Sequence, residues 1–394
     1  MSTTPLRGIK VVEFSHMIMG PSVGLILADL GAEVIKVEPI GGDKTRRLKG
    51  AGAGYFPMFN RNKKSICLDL KSDRGASLAK KLIKDADIFI ENMRPGALDK
   101  LGFGYDALSK ENAALIYCSE KGFLSGPYEQ RTALDEIAQM MGGLAYMTGP
   151  PGRPLRAGSS VVDITGGMFG VIGVLSALTE RARTGKGCHV TASLFETTVF
   201  LVGQHMAQKA VTGMAAKPMP ARTSAWAIYD VFDTSDDDKI FVGVVSDTQW
   251  PIFCRTFEFS DWLEDASLRD NSARVDRRDE IIPVVREKFG SMTKADLMAR
   301  LEKAGLPFAP IARPEDLFDD PHLTQSGGLL ELTLPNGEET QLPALPVEFD
   351  GERQPKADNP PAAGAHTISL LNDLSLSSAE IDELLSENVI GVAT

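Results

Sequence analysis

An α/β fold, with a Rossmann-like parallel sheet in a large domain and a smaller α/β domain inserted into it, follows from three features of the sequence. Apolar strands alternate with helical segments through the first third of the chain, a proline-bearing stretch without periodicity interrupts it near residue 214, and extended segments return near residue 326. At 394 residues the chain exceeds one typical core, which suits two domains or one domain carrying a large insertion. The expected division is a large domain over 1–213, a linker over 214–221, a small domain over 222–325 and a returning segment over 326–394 that completes the large domain.

Each element has its own signal. Gly8 to Phe14 is an apolar strand, Pro21 to Leu30 a helix and Glu33 to Glu38 a second strand, which together make a βαβ opening. Further strands are expected at Ser65 to Leu70, Ile88 to Glu91 and Leu115 to Ser119, with a helix at Arg74 to Lys84 whose apolar residues recur at helical spacing. Strands alternating with helices imply a mostly parallel sheet covered on both faces. After GPPGRPLRAGS a long helix is read from about Gly166 to Arg183, then the turn TGKG, a strand at Cys188 to Leu194 and a helix to about Thr212. Pro218 and Pro220 mark the linker. The inserted unit shows strands at Ile228 to Phe232 and Lys239 to Val245, then helices near Thr248 to Phe257, Asp276 to Phe289 and Lys294 to Ala304. From Gly328 come GLLELTLP and QLPALPVEF, the loop ERQPKADNPPAAGA and two short helices, the last at Ser377 to Glu387.

Composition narrows the function. A net charge of -11 disfavours nucleic acid and anionic membranes as partners, because both need a basic field. Cys67, Cys118, Cys188 and Cys254 are widely spaced and read as reduced thiols. The start MSTTPLRGIK has no long apolar stretch, and no later segment is read as a membrane span of ~20 apolar residues. A cytoplasmic setting without a membrane partner is the expectation.

Several chemistries are excluded by missing patterns. The first βα turn reads SHMIMGPS and lacks the glycines of G-x-G-x-x-G, although Glu38 stands where a ribose-binding acid would sit. There is no phosphate-binding loop of the G-x-x-x-x-G-K-[ST] type and no G-x-S-x-G elbow. The five histidines form no metal signature, so no metal is expected. His16 falls at the carboxyl end of the first strand, where open α/β sheets bind ligands, and is a candidate ligand contact.

The segment SSVVDITGGMFGVIGVLSALTERARTGKG carries the strongest chemical candidate, Asp163. An aspartate just before a helix also suits an N-cap, a role that stabilises by ~1 kcal/mol without any chemistry. A functional reading gives Gly166 and Gly167 the task of leaving room for an acyl group, with backbone N–H groups stabilising a developing oxyanion. A carboxylate of pKa about 4 is a weak nucleophile against a thiol of pKa near 8.5. Acyl transfer from a thioester to Asp163 is therefore uphill and must draw on binding energy from a remote part of the substrate.

Taken together, PLRGIKVVEFSHMIMGPSVGLILADLGAEVIKVEP, FNRNKKSICLDLKS, IENMRPGALDKLGF, the Asp163 segment, GKGCHVTASLFE, NSARVDR and GAHT make the chain resemble the class III coenzyme A transferase family. The resemblance implies that Asp163 attacks a donor thioester, passes through an aspartyl anhydride to an aspartyl-CoA thioester, and is released by an acceptor carboxylate. It also implies that His16, Met17, Ile18 and Met19 line a CoA site, with Arg46, Leu68, Lys71, Asn92, Met93, Lys100 and Leu101 around the nucleotide portion. Lys71 and Lys100 would meet phosphates. Coenzyme A is then a substrate rather than a bound cofactor, no cofactor is expected to stay bound, and the implied assembly is an interlocked homodimer.

Two alternatives accompany this reading, a racemase-like isomerase and a non-catalytic CoA-binding protein. Racemases related to the family carry a G-H-D motif whose histidine moves a proton, but RTALDEIAQ places Leu134 there, followed by Asp135, a candidate substrate contact. The stretch AKPMPARTSAW lacks the glycine run shared by formyl-CoA and oxalate enzymes, which argues against oxalate. GAHT has Ala365 where the family often has an acid. Arg222 is a candidate for binding a second carboxylate on a dicarboxylic acyl group such as succinyl, since arginine grips carboxylates bidentately.

Overall fold

The computed structural model describes residues 4–222, 224–353 and 357–393. Residues 354–356 of the loop ERQPKADNPPAAGA, and Thr223 of AKPMPARTSAW, lie outside the described residues. The chain forms two compact units, one from residues 1–221 and 321–394, the other from Arg222–Asp320. The return to the first unit comes at Pro321, five residues before the expected 326, because the short helix Pro321–Gln325 already belongs to it.

The first unit is built on a seven-stranded sheet. Its strands are β1 (Lys10–Phe14), β2 (Glu33–Glu38), β3 (Lys63–Leu68), β4 (Ile88–Glu91), β5 (Ile116–Lys121), β6 (His189–Ser193) and β12 (Ile390–Gly391), in the order β12-β3-β2-β1-β4-β5-β6. The six strands β1 to β6 pair in parallel, and β12 adds antiparallel to β3. Sequence reading missed β12, since a two-residue strand has no periodicity to detect.

Alternation along the strands sends side chains into two separate cores. Val12, Phe14, Ile35, Val37, Ile66 and Phe89 point to one face, packed beneath α2 (Asp73–Lys84) and the C-terminal helices α9 (Thr367–Asp373) and α10 (Ser378–Ser386). Val11, Val34, Ile88, Ile90, Ile116 and Cys118 point to the other, under α1 (Met19–Asp29) and α4 (Val161–Thr184). Burial on both faces is what a parallel sheet needs. Between β5 and α4 lies the short helix α3 (Asp135–Met141), and α5 (Leu194–Thr212) follows β6.

Helix α4 begins five residues earlier than the sequence suggested, so Asp163 lies in its first turn instead of before it. It ends at Gly185, whose φ of 70° gives the left-handed cap, while Arg181 and Arg183 meet the negative end of its dipole. By length and mean hydropathy of 1.8, α4 could cross a membrane, which corrects the expectation that no such segment exists. In this fold the apolar length covers the sheet, with Val171, Val174 and Ala177 buried against it.

The second unit has an antiparallel sheet of β7 (Ile228–Asp233), β8 (Lys239–Val244) and β9 (Phe308–Pro310). Helices α6 (Gln249–Phe257), α7 (Arg278–Gly290) and α8 (Lys294–Ala304) cover a core rich in aromatic rings, including Phe253, Phe257 and Phe289. The arginine of NSARVDR, Arg274, is buried there. It donates to the carbonyls of Leu268 and Arg269, pairs with Asp247 and stacks over Trp250, so it holds the unit together. Back in the first unit, β10 (Leu329–Thr333) and β11 (Glu339–Pro343) form a separate antiparallel hairpin.

Candidate active site

The strand order reverses between β1 and β4, since the chain runs outward through β2 and β3 and then outward the other way through β4 to β6. The crevice beyond the carboxyl ends of strands at such a reversal is where open α/β sheets bind ligands. His16 follows β1 and Asn92 follows β4. The Asn92 side chain clamps the His16 backbone from both sides, accepting from its N–H at 3.1 Å and donating to its carbonyl at 2.8 Å. Met17 next to it takes φ of 64°, a conformation costly for a side chain with a Cβ. Its N–H donates to Thr45 Oγ1 at 3.1 Å, so the strained loop is fixed from a second direction.

A buried charge network supports these loops. Lys36 donates to the Ser15 carbonyl at 2.6 Å and pairs with Glu13 at 3.2 Å and Asp43 at 3.5 Å, while Lys63 pairs with Glu13 at 2.7 Å. Burial alone would raise the Glu13 pKa, but Lys63 and Lys36 outweigh it and hold Glu13 ionised, below the ordinary range. Glu38, the acid in a ribose-binding position, is spent otherwise. Its oxygens accept from Ser65 Oγ, the Asp43 N–H and the Arg46 guanidinium, fastening the 43–47 loop.

Around this crevice a cavity of about 410 Å³ is lined by His16 to Met19, Tyr55, Asn92, Glu120, Lys121, Leu134, Asp135, Arg156, Ser160 and Asp163, among others. Asp163 is half-buried in its wall. Its pKa is raised from 3.8 to about 7, first by burial and then by the negative charge of Asp135, against which Arg156 pulls the other way. The cap of α4 is supplied from another helix. Asp135 Oδ2 accepts from the N–H groups of Val162 at 3.0 Å and Asp163 at 3.1 Å, and Gln139 donates to Asp135 Oδ1 at 2.5 Å. Capping, the competing role for Asp163, therefore belongs to Asp135, and the Asp163 side chain is left for the cavity.

Five residues assigned from the sequence take other roles in the structure. Gly166 and Gly167 do not make room for an acyl group. A Cβ on Gly166 would stand 2.5 Å from Met19 Cε, and one on Gly167 would stand 2.8 Å from the Met19 carbonyl oxygen, so the glycines admit the start of α1. Their amides also lie beyond the first four of α4, where intrahelical partners are available. Asp135 is engaged as a cap and is no free substrate contact. Leu68 is fully buried in the sheet core, and Arg46 is committed to Glu38, the Pro361 carbonyl and a stack over Phe56 at 3.6 Å. Arg222 is the first residue of the second unit.

The remaining candidates lie on the carboxyl side of the sheet. Lys71 follows β3 and is exposed; Met93 follows β4 with Lys100 and Leu101, both exposed, in the next turn. Sequence reading overlooked Tyr55, Arg156 and Lys121. Arg156 had one available signal, a basic residue seven positions before Asp163 in an otherwise small and apolar stretch.

A carboxyl of raised pKa facing a ligand-sized cavity, at the reversal point of a doubly covered parallel sheet, marks the candidate active site of an α/β protein. Comparison makes the class specific. The model of CoA-transferase family III matches residues 6–367, and the chain belongs to that family. Succinyl-CoA:glutarate CoA-transferase of Mus musculus is 32% identical over 99% of this chain and 91% of its own length. Formyl-CoA:oxalate CoA-transferase of Escherichia coli O157:H7 is 31% identical over 98% of this chain and 100% of its own length. The crystal structure of a CAIB/BAIF family protein from Brucella suis superimposes with a TM-score of 0.82 at 34% identity, covering 95% of this chain and 100% of that one. The protein is thus a CoA-transferase, an enzyme acting on CoA thioesters and carboxylic acids.

Proposed function

We propose that this enzyme moves coenzyme A from an acyl-CoA donor, with succinyl-CoA as the favoured one, to a small mono- or dicarboxylic acid through covalent intermediates on Asp163. One observation carries the reading: Asp163 faces the cavity with its pKa at about 7, so that its carboxylate approaches the basicity of the thiolate it displaces. An ordinary aspartate would face a gap of about 4.7 units to a thiol near 8.5, whereas here the gap is about 1.5.

An Asp163 carboxylate oxygen attacks the thioester carbonyl, the C–S bond breaks, and CoA departs as thiolate, leaving a mixed anhydride between Asp163 and the acyl group. The thiolate then attacks the Asp163 side-chain carbonyl, releasing the donor acid as carboxylate and leaving an aspartyl-CoA thioester. The acceptor carboxylate repeats the two steps in reverse. Succinyl-CoA as donor is supported by the relatives whose names carry it. The His16 to Met19 loop and the uncapped N-terminal amides of α1 border the cavity, and exposed Lys71 and Lys100 are suited to the CoA phosphates. Leu134 in the cavity wall offers no proton, which weighs against racemisation.

Assembly as an interlocked homodimer and a cytoplasmic setting belong to the same proposal. Met168 and Ile172 on α4 and Phe200, Met206 and Val211 on α5 are exposed apolar residues, an expanse suited to a second copy. The test of function is intact-mass analysis after mixing with succinyl-CoA and quenching in acid. A mass increase that maps to Asp163 and is absent in Asp163→Ala is expected. A transfer-competent Asp163→Ala enzyme would contradict the proposal.

A further inference from the structure

Beside the Asp163 cavity lies a second one of about 450 Å³, lined by Ile18, Ala51, Tyr55, Phe59, Ile164 and the run Arg156 to Ser160. The two share Ile18, Tyr55, Arg156 and Ser160 as common wall, so they lie side by side, with Arg156 facing both and Ile164 of the second adjoining Asp163 of the first in sequence. Its character is distinctive. Apolar side chains and two serines surround a single charged group among the described lining residues, the Arg156 guanidinium. An apolar slot with one cation at its edge matches an aliphatic chain that ends in an anion.

The guanidinium is held but has capacity left. Nε donates to the Ala157 carbonyl at 3.1 Å, which fixes the plane of the group, and Nη1 pairs with Glu136 at 3.0 Å. Glu136 is itself well exposed, and such a pair is worth little in water. Nη2 stands 3.9 Å from Asp135, beyond hydrogen-bond range. An incoming carboxylate can therefore bind at Nη2 or displace Glu136 from the fork, while Asp135 keeps its role at the α4 cap.

We propose that Arg156 reads the distal carboxylate of a short diacid in this enzyme, making aliphatic dicarboxylic acids and their mono-CoA thioesters the preferred substrates. The inference rests on the proposed transfer at Asp163 and assigns specificity to a residue seven positions upstream of it. A monocarboxylic acid of equal length leaves the guanidinium without its anion and gains only the apolar contact.

The experiment compares kcat/KM for glutarate and for butyrate and valerate as acceptors, with succinyl-CoA as donor, in the wild type, Arg156→Gln and Arg156→Lys. Adduct formation at Asp163 from succinyl-CoA, without any acceptor, is followed in parallel by mass spectrometry. The wild type is expected to prefer the diacid, and Arg156→Gln to lose that preference by about 10- to 100-fold, with Arg156→Lys between them because it keeps charge without the fork. An unchanged preference in Arg156→Gln, or no diacid preference in the wild type, overturns the assignment. So does an equal fall for both acid classes, which would place Arg156 at the reacting centre instead. Absence of any adduct in the wild type strikes the Asp163 reading itself, and thereby separates the two failures.

Discussion

Two carboxylates of the first unit, both removed from water, meet opposite fates. Glu13 is fully buried yet held ionised, because two lysines overcome the cost of burial. Asp163 is only half-buried by exposed area, yet its pKa climbs to about 7, because burial raises it first, the Asp135 carboxylate raises it further, and Arg156 opposes them only in part. Burial pushes both carboxyls toward protonation, and the neighbouring charges decide whether that push is reversed, as at Glu13, or reinforced, as at Asp163. The Glu13 region is a static brace beneath the loops carrying His16 and Thr45, and the Asp163 region is a chemically poised group above them.

Breaking the brace is expected to give the largest effect. Lys63→Met leaves Glu13 a buried charge with Lys36 alone, and should lower unfolding free energy by about 3–5 kcal/mol, read by urea denaturation. A near-neutral result would mean that Lys36 alone satisfies Glu13.

Asp163 should show the reverse behaviour, an effect on stability that depends on pH. Its folded pKa lies above the ordinary value of 3.8, so the fold favours the protonated form. That contribution is fully present below about pH 3.8 and is lost as pH rises through about 7. Asp163→Asn, which cannot ionise, is therefore expected to melt roughly 2–4 °C above the wild type at pH 8 and level with it near pH 4, by differential scanning calorimetry. Equal melting differences at both pH values would remove the raised pKa from the account.

A finer change sharpens the contrast. Asp135→Asn removes the negative neighbour while an amide oxygen can still accept from the Val162 and Asp163 amides. The acid limb of the transfer rate should move to lower pH, toward the ordinary carboxylate range. A limb that stays in place would make burial alone responsible.

The sequence made much of the scaffold legible. Strands β1 to β5 were found within a few residues, because a sheet covered on both faces leaves apolar runs such as residues 11–12 and 88–90 at its centre. The site was legible in part. Asp163 stood out by its setting, but the start of α4 was misplaced because its cap, Asp135, lies 28 residues away and belongs to another helix. The same distance hid the purpose of the glycines, since Met19 and Ser22 of α1 approach them only in the folded unit. Arg46 and Leu68 matched the family pattern in sequence while the fold spends one on Glu38 and buries the other. Long-range pairing of this kind carries no local periodicity.

The central claim is that a carboxyl poised by burial and by a like charge performs the transfer, and it is tested most directly by the pH dependence of single-turnover acyl-CoA capture on Asp163. Rapid-quench mass spectrometry between pH 5 and 9 should give a rate that rises to a plateau with a midpoint of about 7, matching the titration of Asp163. A rate already at its plateau at pH 5, with a midpoint near the ordinary 3.8, would contradict it.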